Sequence, residues 1–118
     1  MANKYQFDPE AYKRRLKREK ERPELKERFK YYEEIVEAQP TFDSEAEALK
    51  HALPKVKKGA MLMIWQAPKE LGGKWKVVSM ETHKGMAPDA ADQLGWSMIY
   101  DLELLHDKAD DIDEIEEV

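Results

Sequence analysis

The chain has 118 residues and a formal net charge of −5, with 20 Lys plus Arg against 25 Asp plus Glu. This length is enough for one packed domain and too short for two full cores. Cysteine is absent from the sequence, which excludes disulfide frameworks, thiolate nucleophiles and cysteine-based metal sites. Because the N-terminus lacks the apolar run of a signal peptide and no stretch approaches the ~20 apolar residues of a membrane span, we expect a cytoplasmic protein without a membrane partner.

Charged residues make up 38% of the chain, well above the roughly 25% of an average globular domain. Such an excess must occupy solvated faces or tails. Apolar residues make up 42%, which is enough to build a modest core. We therefore expect one folded domain with charged appendages.

The first region, residues 1–39, is predicted to be helical, because Asp8 can cap a helix and the proline after it fits the first turn. Between residues 13 and 22, seven basic residues against two acids give a charge of +5, with a single apolar side chain. A stretch with so little to bury is expected to project from the body as a basic arm. Pro23 disfavours helix at the residue before it, which leaves open whether residues 9–38 form one kinked helix or two.

An apolar stripe follows the basic arm. Its members recur at spacings of four, three and four, as residues on one face of a helix do: Leu25, Phe29, Tyr32 and Val36. A stripe of this kind packs either on a core or on a partner helix, and the sequence leaves both readings open.

Residues 40–106 are predicted to form a compact α+β core. Ser44 followed by Glu47 is a capping-box pattern that opens a short third helix, and Pro54 is expected to end it. Residues 61–65 are apolar at every position, which is typical of a central strand covered on both faces.

A β-hairpin is predicted between this strand and the next one. Gly72 and Gly73 suit its connection, and residues 74–82 alternate in the manner of a strand. The alternation places Trp75 and Lys76 on opposite faces of that strand.

Residues 96–105 fit two templates. A period of two predicts a strand, whereas apolar residues three and four positions apart fit a helix. Gly95 is unfavourable inside a helix and is suited to end a short helix over Asp89–Leu94. We therefore predict a third strand beginning at Trp96, with a helix as the alternative.

The last region, residues 107–118, holds seven acids and one lysine and is predicted to be a flexible acidic tail. Counted over 101–118, nine acids against one basic residue give −8, opposite in sign to the basic arm. Such blocks attract each other within one molecule or between two copies, and the second case would give a homodimer. The expected fold class is α+β, with N-terminal helices on a small antiparallel sheet of a hairpin plus a third strand.

No catalytic or metal-binding motif stands out in the sequence. His51, His83 and His106 are far apart and have no metal-ligand spacing. The serines lack a histidine and an acid at a recognisable spacing, and phosphate-binding glycine loops are missing. We therefore expect a protein that is not an enzyme and uses no cofactor or metal ion.

Charge segregation beside an apolar stripe predicts a non-enzymatic protein-interaction module. We expect a small regulator or inhibitor, of the kind that phages and plasmids encode, whose partner is another protein of unknown identity. Its predicted contacts are Leu25, Phe29, Tyr32, Val36, Asp110, Asp111, Asp113 and Glu114.

The alternative is a nucleic-acid-binding protein in which the basic arm neutralises phosphates and the acidic tail competes for the arm. Trp75 lies between two lysines and could stack on a base, although its alternation with Val77 also fits a core position. The predicted nucleic-acid contacts are Lys13, Arg14, Arg15, Lys17, Arg18, Arg22 and Trp75.

Overall fold

One antiparallel sheet with helices on both faces forms the body of the protein, and the computed structural model describes residues 4–111 of the chain. The helices are α1 (Ala11–Glu21), α2 (Leu25–Glu37), α3 (Glu45–Lys57), α4 (Met80–His83), α5 (Ala90–Leu94) and α6 (Leu102–Asp110). The strands are β1 (Thr41–Phe42), β2 (Leu62–Gln66), β3 (Trp75–Ser79) and β4 (Ser97–Tyr100). The predicted α+β class with N-terminal helices is confirmed.

The sheet has the strand order β1-β3-β2-β4, and each neighbouring pair is antiparallel. The predicted hairpin forms its centre, with Ile64 of β2 opposite Val77 of β3. Gly72 and Gly73 in the connection take φ angles of 101° and 66°, which side chains other than glycine rarely adopt. β1 is an addition to the predicted strands and pairs with the start of β3.

Each face of the sheet has its own core, because successive side chains of a strand point to opposite faces. Met63, Trp65 and Val78 pack with side chains of α2 and α5 on one face. Ile64 and Val77 pack with side chains of α3 and α6 on the other. Cover on both faces explains why the centre of β2 is apolar at successive positions.

α1 and α2 are separate helices, which answers the question left open at Pro23. Arg22 follows α1 with φ −136° and ψ 82°, outside helical geometry. α1 begins at Ala11, later than the cap signal at Asp8, whose carboxylate accepts a hydrogen bond from the Glu10 N–H at 3.0 Å.

α1 packs on the body, so the prediction of a projecting basic arm is wrong. Ala11 is 1% exposed, and Arg15 is buried one turn further along the helix. α1 lies against α5 and touches α2. Gly95, at the end of α5, permits the close approach, because a Cβ there would lie 2.6 Å from the Cα of Tyr12.

Several element boundaries differ from the predicted ones. Pro54 lies inside α3, where its carbonyl accepts from the Lys58 N–H near the end of the helix. Residues 80–83 form α4, although the alternation of side chains predicted that the strand would continue to residue 82. The ambiguous segment 96–105 contains both predicted structures, since β4 ends at Tyr100 and α6 follows.

α6 crosses the predicted start of the acidic tail at residue 107. The helix continues because Ala109 is 1% exposed and belongs to the core shared with α3. Asp110 and Asp111, predicted as tail contacts, are exposed at its end, whereas Asp113 and Glu114 lie outside the described residues.

Candidate functional site

The apolar stripe of α2 belongs to the core of the protein. Leu25, Phe29 and Val36 are 9%, 1% and 0% exposed, and Tyr32 packs against them while partly buried. These side chains contact α5 and the sheet, so they are not available to a partner. Their burial agrees with the core reading of the spacing, and the predicted contact of the stripe with another protein stays a prediction that this burial disfavours.

Arg15 is a buried member of the predicted phosphate-binding set. Its guanidinium donates to the carboxylates of Glu19 (3.2 Å) and Glu33, and its centre lies 5.6 Å from the ring centroid of Phe29. Burial alone would lower the pKa of Arg15, and the hydrogen bond and charge of Glu33, with those of Glu19, outweigh that effect and raise it. This cation neutralises internal carboxylates and is not available to nucleic acid.

Two more arginines of the set, Arg14 and Arg18, are engaged with acids of the same chain. Arg14 pairs with Asp8 at 2.5 Å and with Asp92 at 3.3 Å. Arg18 donates to the Asp92 carboxylate and to its carbonyl, both at 3.1 Å. The charges of these two arginines are therefore largely compensated by the carboxylates of Asp8 and Asp92.

The remaining cations of the set are exposed. Lys13 and Lys17 keep 70% and 76% of their side chains exposed, and Arg22 keeps 67%. Their acidic neighbours on the same helix or turn are equally solvated, so these pairs hold the side chains weakly. Trp75, by contrast, is half-buried against the core under α3, as its alternation with Val77 allowed.

A cavity of about 380 Å³ lies where the segment before α1 meets α5 and β4. We call it the acidic pocket, after the four carboxylates among its lining residues. Its acidic lining consists of Asp8, Asp89, Asp92 and Asp101. Its aromatic and sulfur-bearing lining consists of Tyr5, Trp96 and Met98.

The segment before α1 forms one wall of the acidic pocket by pairing with the outer edge of β4. The Tyr5 N–H donates to the carbonyl of Ile99 at 2.9 Å, and the Asp8 N–H donates to Ser97 Oγ at 2.9 Å. These bonds place the ring of Tyr5, which is 53% exposed, at the rim. The wall is thus fixed by hydrogen bonds from its backbone N–H groups to β4.

Two acids of the pocket lie just before the helices α5 and α6. Asp101 is the N-cap of α6, accepting from the Leu104 N–H at 2.8 Å, and it also accepts from the Tyr5 hydroxyl at 3.1 Å. Asp89 precedes α5 and accepts from the side-chain amide of Gln93 at 2.7 Å. Within residues 4–111, no salt bridge joins either carboxylate to a cation.

The charge state of the pocket follows from these contacts. The hydrogen bond from Arg14, the Glu10 N–H and the charge of Arg14 lower the pKa of Asp8, which keeps that carboxylate ionised. The hydrogen bond to Asp101 and its charge raise the pKa of Tyr5, which keeps the phenol neutral. With Asp8 and Asp92 balanced by arginines, the excess negative charge rests on Asp89 and Asp101.

The sequence analysis did not predict the acidic pocket, although two of its acids occupy positions just before helices, where acidic residues are common. Asp89 and Asp101 stand just before α5 and α6, as helix-starting acids do. Nothing local joins them to Tyr5, since the Tyr5–Asp101 contact spans 96 positions. The pairing of the first residues with β4 is what brings them together.

Neither a metal centre nor a membrane helix is found in the part of the chain that the structure describes. Residues 4–111 contain no group of three or more His, Asp or Glu side chains placed to hold a metal ion. Within the same range, no helix has the length and apolar character needed to cross a bilayer. Comparison with protein-family models, with curated proteins and with solved structures found no match for this chain.

Proposed function

We propose that this protein is a non-enzymatic interaction module, a small regulator or inhibitor acting in the cytoplasm, and that it binds another protein at the acidic pocket. The observation that carries this proposal is the uncompensated pair Asp89 and Asp101 in a cavity with Tyr5 and Trp96 in its walls. Carboxylates without an internal cation, beside aromatic rings, favour a positively charged partner group.

The proposed contact surface is the acidic pocket and not the α2 stripe, whose side chains are buried. Asp110 and Asp111, exposed at the end of α6, add negative charge about 14 Å along the helix from Asp101. Negative charge at both ends of α6 attracts a basic partner before contact. The acids at both ends of α6 therefore favour the same type of partner, a basic one.

Nucleic-acid binding is the second candidate, and the exposed face of α1 favours it. Lys13, Lys17 and Lys20 recur there at spacings of four and three, so they form one row of cations. Arg14, Arg15 and Arg18, which would have enlarged this row, pair with the carboxylates described above. Three lysines support a weak, sequence-independent contact with phosphates.

Fluorescence anisotropy with labelled probes separates the two candidates. The probes are a short peptide rich in Lys and Arg, an acidic peptide of equal length, and single-stranded and duplex DNA. We expect the basic peptide alone to bind, with an affinity that falls as salt rises from about 50 to 300 mM. Binding of DNA without binding of the basic peptide would contradict the proposal and favour the second candidate.

A matched pair of variants locates the contact. Lys13→Gln with Lys17→Gln should leave peptide binding unchanged, because those lysines lie outside the acidic pocket. Asp89→Asn should weaken it, since the amide keeps an acceptor for Gln93 and removes the charge. If peptide binding were unaffected by Asp89→Asn, the pocket would not be the surface used.

A further inference from the structure

We infer that the groove between β1 and the first half of α3 is a second binding site, which takes an extended peptide segment with one acidic side chain. The segment adds a strand to the sheet by exchanging two hydrogen bonds with Thr41, and its carboxylate meets Lys50. This groove shares no lining residue with the acidic pocket, so the inference does not depend on the function proposed above.

The two edges of the sheet differ in what covers them. At β4, the segment before α1 lies along the edge, with the Tyr5 N–H donating to the Ile99 carbonyl at 2.9 Å. β1 is the other edge strand, and its residue Thr41 is exposed. Among residues 4–111, β3 is the only strand that pairs with β1. The outer side of β1 is therefore an edge of the kind to which peptides add a strand.

The backbone groups of Thr41 point away from the sheet. β1 and β3 are antiparallel, and Thr41 lies opposite Lys76. In the neighbouring pair, the Val77 N–H donates to the Pro40 carbonyl at 3.1 Å. Hydrogen-bonded and non-hydrogen-bonded pairs alternate along an antiparallel ladder, so the N–H and C=O of Thr41 face outward. One residue of an added strand can pair with both groups.

A cavity of about 460 Å³ lies beside this edge. Its lining comes from β1, the residue after it and α3: Thr41, Phe42, Asp43, Glu47, Lys50 and His51. α3 thus forms the second wall of a groove whose first wall is the edge strand. The volume lies within the ~300–1,000 Å³ range of ligand sites, so the groove admits side chains of a segment that pairs with Thr41.

The groove is formed before binding. The ring centroids of Phe42 in β1 and His51 in α3 are 5.0 Å apart, and Phe42 packs on the core under α3. The buried ammonium of Lys76 donates to Thr41 Oγ1. These contacts hold both walls in place, and such preorganisation lowers the ordering cost of binding.

Charge at the groove favours a single acidic side chain. The Asp43 carboxylate pairs with Lys74, and the Glu47 carboxylate accepts from the Asp43 N–H at 3.1 Å. Lys50 is exposed, and within residues 4–111 no salt bridge joins its ammonium to an acid. A peptide carboxylate supplies that partner. A run of acids is not favoured, because Asp43 and Glu47 repel further negative charge and acidic residues are depleted in strands.

The position of the acid in the peptide follows from the alternation of side chains. Phe42 points to the face of the sheet that α3 covers, so Thr41 points to the opposite face. A peptide residue paired with Thr41 shares the face of Thr41, and its neighbours point toward α3. We therefore place the acid next to the paired residue, on the side of Lys50.

Fluorescence anisotropy with a short labelled peptide of valine and threonine around one central glutamate tests the site. We expect binding that weakens several-fold when the glutamate is replaced by glutamine or lysine. N-methyl groups on the two residues flanking the glutamate block the donors that face Thr41 and should reduce affinity at least tenfold. N-methyl groups on the glutamate and the residue two positions away face outward and should change affinity by less than about twofold.

Three outcomes of the peptide series would overturn the inference. The first is no binding of the glutamate peptide, and the second is equal binding of the peptide methylated beside the glutamate. The third is equal or tighter binding of the lysine peptide.

Variants of the protein locate the backbone contact. Thr41→Pro removes the outward N–H and leaves the ladder with β3 intact, since edge strands tolerate proline, and should reduce affinity at least tenfold. Thr41→Val is the matched control, because it keeps the N–H and removes only the hydroxyl that Lys76 contacts. Equal affinities of the two variants would overturn strand addition. Circular dichroism checks that each variant is folded, and the methylated peptides test the same contact on the unsubstituted protein.

A second pair of variants locates the charge. Lys50→Gln should weaken binding of the glutamate peptide several-fold, whereas Lys55→Gln, on the same helix outside the groove, should not change it. Equal losses in both would overturn the role of Lys50, because net charge would then govern affinity. Asp89→Asn should leave this binding unchanged, so a failure at the groove is distinguishable from a failure of the acidic pocket.

Discussion

Gly95 shows how one residue fixes the contact between two helices. Its φ of 78° lies in the left-handed region, and a Cβ would lie 2.6 Å from the Cα of Tyr12 and 3.1 Å from the carbonyl oxygen of Ala11. Both the local conformation and the packing of α1 on α5 therefore require glycine. Because the acidic pocket is lined by Ala11 of α1 and by Asp8 just before this helix, the contact also positions one wall of the site.

Gly95→Ala should destabilise the protein by roughly 2–5 kcal/mol, from ~1–2 for the left-handed backbone and ~1–3 for the clash with α1. Gly73→Ala is the matched control, because Gly73 also has a positive φ (66°) and its Cβ would meet nothing within 4 Å. We expect the control to lose only about 1–2 kcal/mol. Urea unfolding measures both values, and equal losses would contradict the packing argument.

His51 makes stability depend on pH. Its ring lies 5.0 Å from that of Phe42, and burial, followed by the charge of Lys55, lowers its pKa below the usual value near 6.5. The folded state therefore disfavours protonation more than the unfolded state does. The stability contributed by neutral His51 is complete above pH ~6.5 and is lost as the pH falls through the lowered pKa.

A comparison of urea midpoints at pH 7.5 and 5.5 tests this dependence. His51→Gln should lose less stability between the two pH values than the unsubstituted protein, because the titrating ring is gone. His106→Gln, at an exposed position, is the control for removing a histidine. An unchanged pH dependence in His51→Gln would contradict the assignment.

The start of α3 shows that helix capping depends on residues close together in the sequence. Ser44 caps α3 as its spacing predicts, with its Oγ accepting from the Glu47 N–H at 3.2 Å. The Glu47 carboxylate reaches back to the N–H of Asp43 at 3.1 Å, one residue before the one that the motif predicts. Local capping chemistry was therefore predictable from sequence to within a residue.

The C-terminus of α2 has a cap that the sequence could not reveal. Lys76 in β3 is 3% exposed, and its ammonium donates to the carbonyl of Glu37 at 3.1 Å and to Thr41 Oγ1. Alternation along β3 predicts a solvated lysine only if one face of the sheet is open. Because α2 covers that face, the lysine becomes an internal cap for its last turn.

Lys76→Met should destabilise the protein by about 1–3 kcal/mol, because it leaves the Glu37 carbonyl and Thr41 hydroxyl without their donor. Relief of burying a charge offsets part of that loss, since the paired Glu37 carboxylate is 53% exposed and stays hydrated. Lys74→Met, at the exposed neighbour, should change stability by less than about 1 kcal/mol. Thermal or urea unfolding checks both, and a Lys76→Met protein as stable as Lys74→Met would contradict the capping role.

Where the sequence predicted elements wrongly, tertiary burial overrode the local pattern. The basic arm of residues 13–22 has one apolar side chain, yet α1 is held by Gly95 and by buried Arg15. The predicted tail begins with a helical turn because Ala109 packs on α3. In both cases, contacts with distant residues decide the structure, and a periodicity argument cannot detect them.

At the scale of the molecule, charges that look separated along the chain are partly paired in space. Arg14, Arg15 and Arg18 of the basic arm neutralise Asp8, Asp92, Glu19 and Glu33. The charge of +5 counted over residues 13–22 is therefore largely offset by carboxylates of the same chain, three of which lie outside that stretch. The excess negative charge at the acidic pocket comes from Asp89, which lies outside both charge blocks of the sequence, and from Asp101, the first acid of the block over residues 101–118.

An NMR titration of ¹⁵N-labelled protein with the peptide rich in Lys and Arg shows which residues of the protein contact a basic partner. We predict that the largest shifts occur at the amides of Tyr5, Asp89 and Asp101, which line the acidic pocket, and that these shifts shrink in Asp89→Asn. Shifts confined to the exposed row at Lys13 and Lys17, or none at saturating peptide, would contradict the acidic pocket as the binding surface of this protein.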